Sequence, residues 1–152
     1  MAVTDLLDRD REAILDEAAE ALQRSRLRHY GSEGAAWSRQ RLAILYDLMI
    51  DSIRERNLVP VIEYVEEMAT RRFEAGYPIG EVQTAINVLE ESTWRHIVGE
   101  LTAAELAEAI GLVSTVLGTA KDTLARRYVA LASEQKVPSL DLTALFRGSG
   151  GS

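Results

Sequence analysis

The chain has 152 residues, 47% hydrophobic and 27% charged, which suits one domain with a sizeable core. Its net charge is -7. Residues 1–76 carry 11 basic and 15 acidic residues (-4), residues 77–152 carry 6 and 9 (-3), so no basic face is set aside for a nucleic-acid backbone. The absence of cysteine excludes disulfides, thiolate nucleophiles and thiolate-bound metals.

Periodicity and breakers predict five helices and no strand. The first covers about Thr4 to Leu27, with Thr4 as N-cap, Asp5 and Asp8 at its positive end, and Leu7, Ile14, Ala18, Ala21 and Leu22 as its apolar stripe. "HYGSEG" then reads as a break at Gly31 and Gly34. The second covers about Ala35 to Arg56, carrying Leu42, Leu45, Tyr46, Met49 and Ile53. Pro60 suits the first turn of a third helix, which carries Val61, Val65, Met68, Ala69 and Phe73 and stops near Gly76.

The fourth helix begins at Pro78 or Ile79. Its apolar surface, with Val82, Ala85, Ile86, Val88, Leu89 and Trp94, is wide enough for contact on more than one side. Thr102 and Glu105 form a capping box for a long fifth helix, about Ala103 to Glu134. Leu106, Ile110, Val113, Leu117, Leu124 and Leu131 make a heptad-like seam on it, interrupted by Arg127. That seam is a candidate homodimer interface and equally the inner face of a bundle. Residues 1–136 therefore read as a helical domain, and 137–152 as a flexible tail ending in "GSGGS". Leu142, Leu145 and Phe146 form a small apolar set in the tail, a candidate docking segment for a partner.

No stretch reads as a secretory signal or as a run of about 18 apolar residues able to span a bilayer, so the expected location is the cytoplasm. Catalytic patterns are missing. "GYPIG" lacks the lysine and hydroxyl of a phosphate loop, no G-x-S-x-G elbow occurs, and no histidine lies three residues after a glutamate as a di-iron bundle requires. No metal or cofactor is expected. Of the two histidines, His96 on the fourth helix is the better haem-ligand candidate, while His29 suits a helix C-terminus. Phe73, Tyr77, Val82, Ile86, Trp94 and His96 are together the candidate pocket, between the third, fourth and fifth helices.

The stretch "EYVEEMATRRFEAGYPIGEVQTAINVLEESTWRHIV" resembles the N-terminal domain of the RsbT co-antagonist family, the RsbRD type. Its features are Arg71, Arg72, Ala75 and Gly76 before the break, then Ile79, Glu81, Val82, Ala85, Leu89 and Glu90 after it. The likeness covers roughly residues 10–133 and is sharpest between Ala69 and Trp94. The resemblance implies an all-α domain, globin-like without haem, that dimerises through helices and works in bacterial stress or signal transduction. It implies receipt of a signal for a C-terminal output domain; none follows Leu145, so the expectation is a stand-alone regulator or an excised input domain. The expectation is a non-catalytic sensor domain, homodimeric, with a signalling protein as partner and neither nucleic acid nor membrane. The alternatives are a small-molecule or haem-binding sensor using the pocket, and an adaptor docking through the tail.

Overall fold

The computed structural model describes residues 1–136. The tail set Leu142, Leu145 and Phe146 and the "GSGGS" end lie outside the described residues. Among the described residues the protein is all-α. There are seven helices, not five: α1 (Val3–Arg9), α2 (Arg11–Arg24), α3 (Arg28–Glu33), α4 (Ala35–Glu55), α5 (Val59–Glu74), α6 (Ile79–Glu100) and α7 (Ala103–Lys136).

Both extra helices come from the first thirty-odd residues. The predicted Thr4–Leu27 helix is broken at Asp10, whose backbone (φ -97, ψ 10) leaves the α region. Beside the break, the Tyr46 hydroxyl donates to the Leu7 carbonyl at 2.5 Å, a side chain competing for a backbone acceptor, which is a known cause of helix kinks. Thr4 is not the N-cap: Ala2 takes that place without a side-chain hydrogen bond. The "HYGSEG" stretch, read as a break, instead contributes a turn and a half of helix, α3, ended by Gly34 at φ 94.

The later boundaries follow local chemistry. Gly76 (φ 85) lets the Tyr77 amide reach back to the Arg72 carbonyl at 2.9 Å, closing α5 with a left-handed cap that a Cβ would disfavour. The Thr102–Glu105 box forms in both directions: the Thr102 amide donates to Glu105 at 3.0 Å and the Glu105 amide to Thr102 at 3.3 Å.

Packing gives α7 its place. It lies chiefly along α5, with further contact to α6 and α4, while α2 is held between α4 and α6. Val113, Leu117, Ala120 and Leu124 of α7 are fully enclosed with Val61, Val65 and Ala69 of α5. Arg127 does not interrupt this seam, since Tyr128 occupies the buried position and Arg127 turns aside to donate to Thr70 at 2.9 Å. One expectation about membranes is corrected: α7 is long and apolar enough to span, with mean hydropathy 1.3 over an 18-residue window of which only 28% is buried. A soluble core helix passes the same test, and Val113 and Leu117 lie in the core, so the signal is weak.

Candidate functional site

Two polar centres stand out against this apolar interior. The first is an aromatic and cationic cage where α3, α4, α5 and the start of α6 meet. Trp37 and Arg41 lie four apart on α4 and so share a face, and the Arg41 guanidinium sits 5.0 Å from the Trp37 ring. Arg72 reaches the same ring from α5 at 4.8 Å and lies 5.4 Å from the Tyr77 ring. Such contacts favour a cation over an aromatic face. Tyr30 packs edge-on against Tyr77 with centroids 5.2 Å apart, and 5.9 Å from Trp37. Arg72 is only 7% exposed, yet its Nε and that of Arg41 have no hydrogen-bond partner, and neither residue pairs with a carboxylate among the described residues. Burial pushes the Tyr30 phenol up, and the neighbouring Arg72 opposes that shift. Burial also raises Tyr64, again against Arg72 and Arg41.

A cavity of about 30 Å³ opens between these groups. Arg41, Arg72, Tyr30 and Tyr64 supply its polar lining, and Leu42, Leu45, Met68, Val82, Ala85 and Ile86 its apolar walls. Next to Tyr77 of the cage, α3 is tied to the start of α6 by Glu81, which accepts from the His29 amide at 2.9 Å and contacts His29 Nδ1 at 2.5 Å. Burial pushes the Glu81 carboxyl up, but the His29 ring and amide outweigh it and its pKa falls below the usual range.

The second centre is His96 on α6. Its Nδ1 faces Asp10 at 2.9 Å and its Nε2 faces Glu17 at 3.1 Å, fastening α6 to the break between α1 and α2. The Asp10 carboxyl is held down at about 2, first by the Arg9 guanidinium and then, against burial, by His96. For His96, burial pushes the pKa down, but Asp10 and Glu17 together raise it above the ordinary histidine value. A raised pKa means that the contribution is complete below the unfolded value, near about 6.5, and is lost as pH rises through the folded one. His96→Gln is therefore expected to lower stability by about 1 kcal/mol at about pH 5.5 and by much less at about pH 8.5, read from thermal melts at the two pH values. An equal loss at both would show that the ring acts by packing alone.

The six predicted pocket residues do not share one pocket. Val82 and Ile86 line the cavity, and Tyr77 packs on the cage beside it. Phe73 turns to α7, edge-on to Tyr128 at 5.4 Å. Trp94 lies half-buried in an outer groove with Asn87, Glu90 and Val98. His96 faces a different groove, with both ring nitrogens engaged by carboxylates and neither left for a haem iron. Among the described residues no cluster of three or more metal-ligating side chains is formed.

Of the predicted dimer seam, Val113, Leu117 and Leu124 are fully enclosed by their own chain and Leu131 is nearly so. Leu106 is half-buried, and Ile110 alone is exposed, at 45%.

Trp37, Arg41 and Tyr30 stand outside the candidate pocket read from the sequence. A legible signal existed for Arg72: it falls in register with Val61, Val65 and Met68 on the buried stripe of α5, where a charge has no business unless it is answered.

Neither the curated proteins nor the solved structures contain a match to this chain. The profile of the RsbT co-antagonist protein rsbRD N-terminal domain matches residues 4–136, almost all that the structure describes. The family is one of stress-signalling regulatory domains, acting with partner proteins such as RsbT rather than as a known enzyme family. That match spans most of the chain, and the chain belongs to the RsbRD N-terminal domain family.

Proposed function

We propose that this domain is a non-catalytic signal-input module that works in the cytoplasm as a homodimer, within the haem-free globin-like frame implied by its family, and passes its state to a signalling protein. The observation that carries the dimer is on the outward face of α7. Ala107, Gly111, Ser114, Gly118 and Val129 recur there at helical spacing and are exposed, Val129 at 65%. A Cβ at Gly111 or Gly118 would meet nothing within 4 Å, so the chain's own packing does not require glycine at either place. Each costs a helix interior about 1 kcal/mol relative to alanine. A second backbone approaching closely over this strip supplies the reason for both, and covers a helix whose apolar content exceeds what its own chain buries.

On this reading the interface is the outward strip, with Ile110 at its edge, and not the seam through Val113, Leu117 and Leu124. A signal would act by shifting the packing of α7 against α5, and so the geometry of the pair. Light scattering at about 50 μM protein tests it, well above a micromolar dissociation constant. The wild type is expected at twice the 16.8 kDa chain mass, and the Gly111→Gln, Gly118→Gln double variant at the monomer mass with unchanged helicity. A monomeric wild type, or a double variant that keeps the dimer mass, contradicts the proposal.

A further inference from the structure

We propose that the cavity under Arg41 and Arg72 is a binding site for a small monocarboxylate, of the size of formate or acetate. Two guanidiniums lie against the Trp37 ring, at 5.0 and 4.8 Å, and both residues line the same cavity, in a protein whose net charge is -7. Carboxylates are abundant, and Arg9, Arg11, Arg39, Arg54, Arg71, Arg95 and Arg126 each hold one. Arg41 and Arg72, the pair that lines a cavity, hold none among the described residues, and Arg72 is more than nine-tenths buried with its Nε unpartnered. Burying a guanidinium without an anion is unfavourable, and aromatic faces offset only part of it.

The planar fork of a guanidinium matches a carboxylate, and two forks can share one. The volume of about 30 Å³ suits an occupant of a few heavy atoms. Tyr30 and Tyr64 also line the cavity, and its apolar walls accept a methyl group but not a second charge. The site touches α4, α5 and α6 together, so an occupant draws α5, the helix on which α7 rests, toward its neighbours. The proposal deepens the signal-input reading by naming a ligand class. Because it is tested by direct binding, its failure leaves the dimer reading to stand or fall on its own measurement.

Trp37 is its own reporter, and the second tryptophan, Trp94, is silenced by Trp94→Phe. Acetate, formate and chloride are titrated into this variant at constant ionic strength, with sulfate as the balancing salt, following emission and melting temperature. Saturable emission change and a raised melting temperature with acetate or formate are expected. The apparent dissociation constant should rise at least tenfold in Arg41→Gln and the response should vanish in Arg72→Gln. Arg41 is half-buried and its variant is expected to fold, so it decides the matter if Arg72→Gln does not. No saturable response to either carboxylate, a response to chloride alone, or one unchanged in Arg41→Gln overturns the proposal.

Discussion

Leu117→Ala is expected to lower the unfolding free energy by about 3 kcal/mol, and by the same amount at every protein concentration. Leu117 is fully enclosed where α7 packs along α5. Truncation removes roughly 2 kcal/mol of apolar transfer and leaves a cavity that two rigid helices cannot close. The concentration independence is the informative part. A residue at a dimer interface would lose stability that depends on protomer concentration, since association is linked to folding by mass action. Urea unfolding at about 1 and about 100 μM checks this; a loss that grows with concentration would put Leu117 at the interface after all.

Tyr46→Phe is expected to cost about 1–3 kcal/mol, a large effect for the loss of one oxygen. The Tyr46 side chain is fully buried and its hydroxyl serves the Leu7 carbonyl beside the break at Asp10. Removing the donor leaves a buried carbonyl short of a partner in a place water does not reach. The break also sets Asp10 against His96, so the change is expected to loosen the α1–α2 corner first. Amide exchange at residues 3–15 should speed up before that of α7 does. Uniform acceleration across the chain would mean that Tyr46 contributes only to global stability.

The two predictions mark where the sequence was legible and where it was not. Long apolar stripes located α4, α5, α6 and α7 to within a residue or two, because burial of one helix face is written into the spacing. The capping box at Thr102 and the Gly76 stop could be read for the same reason: each is a local device with a local signature. The break at Asp10 could not, since its cause is the hydroxyl of Tyr46, 39 residues along the chain from the Leu7 carbonyl it serves. The turn of α3 was hidden by glycines that are tolerated in a short helix. The cage around Trp37 joins α3, α4, α5 and α6, and no window along the chain holds it together. Only the misplaced charge of Arg72 on an apolar stripe announced it. The heptad-like seam on α7 was real, but periodicity alone does not distinguish a partner in the same chain from one in another. Burial decides that, and it turns the seam inward.

The chain has no cysteine, so a single introduced thiol reports on one position at a time. Ser114→Cys, between Gly111 and Gly118 on the outward face of α7, gives the most direct test of the dimer. Two helices crossing closely there bring equivalent positions to within the roughly 4.4–6.8 Å between Cα atoms that a disulfide requires. Mild oxidation at micromolar concentration should convert Ser114→Cys into a covalent dimer within minutes, while Leu117→Cys, buried in its own chain, stays monomeric on denaturing gels. A Ser114→Cys protein that remains uncrosslinked, or a Leu117→Cys protein that crosslinks in its place, would contradict the assignment of the outward face of α7 as the homodimer interface.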